Sequence, residues 1–175
     1  MDRAAAVVSK RPQCLGLSVP GTLRTTCRFL AARLLGAPPL NASAPPEALD
    51  DVFDTRTRAN LASLVASYPT VLGLSVDANL APKLDALAAA AADSPGVDDG
   101  AAAAAAAVIA CPALLGYSLD SRLRPRLEEM RLRGLPFVHI TNLAQVPERL
   151  FLAKLEGRVE KLEREAGEAM PLTTR

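Results

Sequence analysis

Apolar and small residues recur along this chain in three blocks of one design. Pro12 to Leu30 (PQCLGLSVPGTLRTTCRFL), Pro69 to Leu87 (PTVLGLSVDANLAPKLDAL) and Pro112 to Met130 (PALLGYSLDSRLRPRLEEM) align without a gap. Each opens on proline and carries a Leu-Gly step, at Leu15-Gly16, Leu72-Gly73 and Leu115-Gly116. A serine stands two residues beyond each glycine, at Ser18, Ser75 and Ser118. A second proline follows at Pro82 and Pro125, with Thr25 in its place in the first copy. Self-similarity of this kind marks a repeat architecture.

The spacing predicts helix, break, helix in every block. Apolar stretches precede the first proline, at Ala5 to Val8, around Leu61, Leu64 and Val65, and at Ala104 to Ile109. Proline cannot continue a helix, so each stretch ends there. The glycine is expected to permit a tight reversal. The three serines are placed to cap a second helix. Its apolar side chains fall at i, i+4 and i+7: Leu23, Cys27, Leu30; Leu80, Leu84, Leu87; Leu123, Leu127, Met130. Pro82 and Pro125 fall near its first turn, where a missing N–H costs little. One such unit cannot bury its own stripe, whereas stacked neighbours can. The predicted fold is therefore all-α, a superhelical solenoid of about three repeats. Repeat 1 covers residues 1–36, a Pro/Ala-rich insertion 37–59, repeat 2 60–92, a loop 93–100 and repeat 3 101–136. Residues 137–175 form the closing segment. There, Leu152, Leu155, Val159, Leu162 and Ala166 in 3–4 spacing predict one helix from Pro147 to Met170, capping the last repeat.

Composition narrows the chemistry. Half of the 175 residues are hydrophobic, only 3% are aromatic and 33 are alanine, which favours helix over sheet. Three cysteines, Cys14, Cys27 and Cys111, with the lone His139, supply neither a disulfide framework nor zinc-ligand spacing. No metal or cofactor is expected. No apolar run reaches the roughly 18–20 residues of a membrane span. The chain also holds no reaction centre by motif. Gly16-Leu17-Ser18-Val19-Pro20 begins like a nucleophile elbow, but Pro20 stands where glycine is required. His139 lies in the apolar run Phe137-Val138-His139-Ile140, the setting of a core or groove histidine. The chain is read as a non-enzyme.

The double-proline pattern carries a resemblance. Pro112-Ala113-Leu114-Leu115-Gly116-Tyr117-Ser118-Leu119 through Leu123-Arg124-Pro125-Arg126-Leu127 resembles the repeat of the mitochondrial transcription termination factor (mTERF) family. Tyr68-Pro69-Thr70-Val71-Leu72 with Asn79-Leu80-Ala81-Pro82-Lys83-Leu84 is similar to it again, as is the closing Pro147-Glu148-Arg149-Leu150-Phe151-Leu152. The resemblance covers about three quarters of the chain, and Thr25 departs from it. It implies an all-α superhelix that binds nucleic acid, double-stranded DNA first, on a basic concave face. It also implies work in a mitochondrion or chloroplast, in transcription or its termination, with RNA splicing and ribosome assembly as alternatives. The first residues are expected to belong to the first repeat helix, without a separate transit peptide.

A net charge of +1 excludes a histone-like polycation, yet it conceals a segregation. Residues 3–46 carry six bases and no acid, whereas residues 47–100 carry nine acids and three bases. Residues 120–133 carry five arginines and three acids. At 100° per residue, Arg33, Lys83, Arg122, Arg126 and Arg133 fall on one flank of the leucine stripe and predict a basic track for phosphates. The other flank holds Arg24, Arg28, Arg124 and Arg131, mixed with Asp85 and Glu128. The alternative is that these arginines lie over the apolar stripe as structural covers. Six aromatics are too few for base stacking as the main binding mode. A helical scaffold binding a protein partner, through an apolar groove or the C-terminal helix, is the competing reading.

Overall fold

The computed structural model describes residues 3–37 and 53–169, and every regular element among them is helical. The α-helices are α1 (Arg3–Lys10), α2 (Arg24–Leu35), α3 (Thr55–Ser67), α4 (Ala81–Ala92), α5 (Gly100–Ala110), α6 (Arg124–Leu132), α7 (Ile140–Leu143) and α8 (Glu148–Ala169). Three times the chain runs α-helix, 3-10 turn, π turn, α-helix. The 3-10 turns are Pro12–Gly16, Pro69–Gly73 and Pro112–Gly116; the π turns are Val19–Leu23, Val76–Leu80 and Leu119–Leu123.

Local chemistry repeats with the sequence. The residues before the first prolines, Arg11, Tyr68 and Cys111, have φ of −147, −136 and −138°, away from the helical region. Ser18, Ser75 and Ser118 are extended, and their hydroxyls accept from the N–H of Gly21, Ala78 and Ser121 at 3.1, 3.1 and 3.3 Å. The same serines' carbonyls accept from Leu23, Leu80 and Leu123, five residues on, each at 3.0 Å. That bond widens the opening turn into a π turn. Pro82 and Pro125 lie in the first turn of α4 and α6.

The glycines differ from the expectation of a tight reversal. Positive φ occurs among the described residues at Gly36, Gly96 and Gly134, not at Gly16, Gly73 or Gly116. Gly116 is needed for space instead, whereas a Cβ on Gly73 would make only ordinary contact. The Arg11 guanidinium lies against Gly73, and a Cβ on Gly116 would overlap the Tyr68 hydroxyl. Arg11 and Tyr68 are each the pre-proline residue of the unit before, so this step marks where one unit approaches the next, closely enough at Gly116 to require glycine.

The repeats share one core, with Leu30, Val71, Leu80, Leu87, Leu114, Leu115 and Leu123 fully buried. The 3-10 turns touch in chain order, first with second and second with third. α2 lies against α3 and α5, while α4 and α5 pack most extensively of all. Their alanines and Gly100 are the cause: a Cβ on Gly100 would meet the Ala88 carbonyl and lie 2.8 Å from the Ala92 nitrogen. Small side chains let two backbones close together, so the Ala tract is an interhelical surface.

Two boundaries shift. α3 starts at Thr55, inside the expected insertion, because the Asp54 carboxylate caps it by accepting from Thr57 N–H at 2.6 Å. Residues 38–52, most of that insertion, lie outside the described residues. The closing segment opens with a 3-10 turn, Phe137–His139, and α7 before α8 begins. α7 packs on α5 and α6, and α8 follows, held by buried Phe151 and Leu155. No helix among the described residues is long and apolar enough to cross a membrane.

Candidate nucleic-acid interface

The flank predicted to carry phosphates is largely the seam between units. Lys83 is 5% exposed; its ammonium donates to the Leu115 carbonyl at 2.7 Å and to Asn79 Oδ1 at 3.2 Å. Burial lowers its pKa below the usual lysine value. Arg126 is 1% exposed and donates to the carbonyls of Leu143 and Ala144, at 2.7 and 2.9 Å, and to Glu148 at 2.6 Å. Its guanidinium also lies 4.6 Å from the centre of the Phe151 ring. Arg122 stacks on Tyr117 at 4.3 Å and donates to the Val146 carbonyl at 3.1 Å. Arg33 pairs with Asp85, and Arg133 with Glu129 and Glu156 at 3.3 and 3.6 Å.

The expected solvent-facing track therefore fails at Lys83 and Arg126, and the reason is stacking. A helical wheel fixes an angle about one axis, while the next unit occupies the space beyond it. Carbonyls at the end of a turn or short helix lack intrahelical donors and carry partial negative charge. A long cation from the preceding unit satisfies them. Counted from the opening proline, Lys83 and Arg126 hold the same register position, and so does Thr26, itself 2% exposed.

The flank expected to be mixed divides in two. Arg124 pairs with Asp120 at 3.1 Å. Arg131 grips both oxygens of Glu128, at 2.9 and 2.7 Å, lowering the pKa of that carboxyl through hydrogen bonding. Both arginines line an open groove of about 400 Å³ between α4 and α6, with Ala86, Ala90 and Leu127. Arg24 and Arg28 on α2 behave differently. Neither makes an ion pair among the described residues. Arg24 Nε, with Arg28 Nε and Nη2, is shielded from water without an acceptor there, as is the Nε of Arg122 and of Arg126.

No family model, no curated protein and no solved structure matches the chain. The reading of the site rests on its own residues.

Two bases escaped the sequence argument. Lys10 donates to the Ala66 carbonyl at the end of α3, at 2.8 Å, and Arg11 to Thr70 at 3.1 Å. Their signal was positional: they precede the first proline as Ser67-Tyr68 precede the second, and so face the following unit. His139 is half-buried, and burial together with the nearby Arg158 lowers its pKa. Cys27 is half-buried against the core, which raises the pKa of its thiol.

Proposed function

We propose that this protein is an mTERF-like helical-repeat solenoid that binds nucleic acid through its phosphates, with double-stranded DNA the favoured form. The contact is centred on Arg24 and Arg28 of α2 instead of on the buried flank. The observation that carries the reading is that Arg24 and Arg28, half-buried on α2, make no ion pair among the described residues. A guanidinium without an ion-pair partner can take a phosphate oxygen with charge-assisted bonds. Arg24 and Arg28 lie in the stretch of residues 3–37, which holds six bases and no acid. Regulation of transcription or its termination in an organelle is the role the sequence resemblance implies for such a protein.

The test is fluorescence anisotropy with a labelled duplex of about one helical turn or more, titrated across salt. Two phosphate contacts give a slope of log K against log salt of about −1.8. Arg24→Ala with Arg28→Ala should remove that slope and weaken binding alike on unrelated sequences. A flat plot for the unaltered chain refutes the proposal. Tighter binding to single-stranded RNA than to the duplex reassigns the ligand to RNA.

A further inference from the structure

The chain at the end of α7 is held by repeat 3. Arg126 donates to the carbonyls of Leu143 and Ala144, and Arg122 to that of Val146. Between this turn and the first half of α8 lies an opening of about 430 Å³. Its apolar part is Leu143, Val146, Pro147 and Leu150, and its charged part is Lys154 and Arg158. No acid lines it among the described residues. Neither cation makes an ion pair among the described residues. Their own helix cannot supply one, because no acid stands three or four residues from either, whereas Lys161 on the same helix has Glu165. Lys154 and Arg158 are themselves one turn apart, a like-charge spacing that weakens a helix unless an anion joins them. The groove between α4 and α6, of similar size, gives the contrast. Arg124 and Arg131 line it, but they are already paired, with Asp120 and Glu128.

We infer that this opening is a binding site for a small organic anion, a carboxylate or phosphate monoester carried on a short aliphatic or aromatic body. The Lys154 ammonium and the Arg158 guanidinium take the oxyanion between them with charge-assisted bonds. The body lies against Pro147 and Leu150, the latter 48% exposed. The volume falls within the roughly 300–1,000 Å³ of small-molecule sites. Leu143 and Val146 are buried, and their carbonyls are bound by Arg126 and Arg122, so the floor is set before a ligand arrives and little ordering remains to be done on binding. A bare inorganic anion leaves the apolar part uncovered, and a neutral molecule leaves both cations unpaired. Arg24 and Arg28 take no part, so the site stands or falls apart from nucleic-acid binding.

The experiment is titration calorimetry of the full chain with phenyl phosphate and with phenylacetate, set against inorganic phosphate and the neutral phenylacetamide. At least one organic anion should bind about tenfold tighter or more than either control, and the tighter of the two names the head group. Its binding should shift the backbone amide resonances of residues 142–158. Lys154→Gln with Arg158→Gln should weaken binding by about tenfold or more at an unchanged melting temperature, and Lys154→Gln alone, at an exposed position, should weaken it in part. Leu150→Ser should weaken the organic anion and leave inorganic phosphate unchanged. Arg24→Ala with Arg28→Ala should alter neither. Absence of heat and of shifts with both organic anions up to about 10 mM, affinity no greater than that for inorganic phosphate, or binding indifferent to the Lys154 and Arg158 variants would each overturn the inference. So would a DNA duplex that displaces the organic anion and loses affinity on Lys154→Gln with Arg158→Gln, which assigns the opening to nucleic-acid phosphates.

Discussion

Arg126 offers the sharpest separation between a cation that binds a ligand and one that holds the fold. Arg126→Ala removes three polar contacts at once. The carbonyls of Leu143 and Ala144 lose their donor at 2.7 and 2.9 Å, close to the end of α7. Hydrogen bonds from a charged donor contribute about 1.5–3 kcal/mol each, and a buried acceptor left unmet costs about 1–3 kcal/mol. Glu148 counts for little, because its carboxylate is largely exposed and stays solvated when its partner leaves. Truncation also empties space against Phe151. Because these contributions overlap, the expected loss from the two unmet carbonyls and the emptied space is about 3–5 kcal/mol.

Urea unfolding followed by circular dichroism measures this directly. For a chain of this size the loss corresponds to a fall in Tm of roughly 6–20 °C. Arg126→Met retains much of the volume and should recover part of the loss, leaving the cost of the unmet carbonyls. Arg124→Ala, two residues away on an exposed ion pair, should change stability by under about 1 kcal/mol. If Arg126→Ala unfolds at the unaltered midpoint, Arg126 does not clamp α7, and the reassignment of that flank from ligand binding to stacking is wrong.

Gly100→Ala drives a Cβ into the Ala88 carbonyl and should cost roughly 1–3 kcal/mol despite alanine's better helix propensity, whereas Gly16→Ala meets open space and should stay within about 0.5 kcal/mol; equal melting temperatures would reject the close approach of α4 and α5. Burial holds the Lys83 pKa below the ordinary 10.5, so between that lowered value and 10.5 the unfolded chain binds more protons than the folded one. Stability relative to Lys83→Met should therefore rise with pH through that window and be lower beneath it; parallel urea midpoints for the two proteins would count against a buried ammonium.

What could be read from the sequence was what depends on neighbours in the chain. The prolines stop helices and the serines cap the next ones because each acts on backbone within five residues. The register of the leucines follows from the same local rule, and Leu80, Leu87 and Leu123 are buried as their spacing requires. The start of α3 was hidden because Asp54 looks like one more turn residue after a Pro/Ala-rich stretch until its carboxylate is seen accepting from Thr57. The phosphate flank was misjudged for a different reason. Arg126 and Lys83 have the side chains of a nucleic-acid surface, but whether a flank meets water or protein is decided by the next element in the stack, 17 residues away in sequence for Arg126 and 32 for Lys83. One signal was present: Thr26, Lys83 and Arg126 share a register position just before the buried or half-buried Cys27, Leu84 and Leu127. A polar side chain repeated beside the stripe marks a recurring acceptor, and in a stacked array the recurring acceptor is the neighbour's backbone.

That shared position also makes the joints unequal. Lys83 carries a buried cation across from repeat 2 to repeat 3, and Arg126 carries one from repeat 3 to α7. Thr26 has no charge to carry, so repeat 1 reaches repeat 2 by other means: Lys10 on the Ala66 carbonyl, Arg11 on Thr70, and the Arg33–Asp85 pair. The Lys10 bond and the Arg33–Asp85 pair are exposed to solvent. Exposed contacts weaken with salt and contribute little individually, whereas charge-assisted bonds in a dry seam keep their strength. The array thus has a firmly clamped end at repeat 3 and a lightly held one at repeat 1. The lightly held end is also where Leu15 lies bare and where Arg24 and Arg28 lack partners among the described residues. Clamping and binding draw on the same chemistry, a long cation seeking an oxygen, and along this chain each cation committed to a neighbouring unit is one withdrawn from the surface.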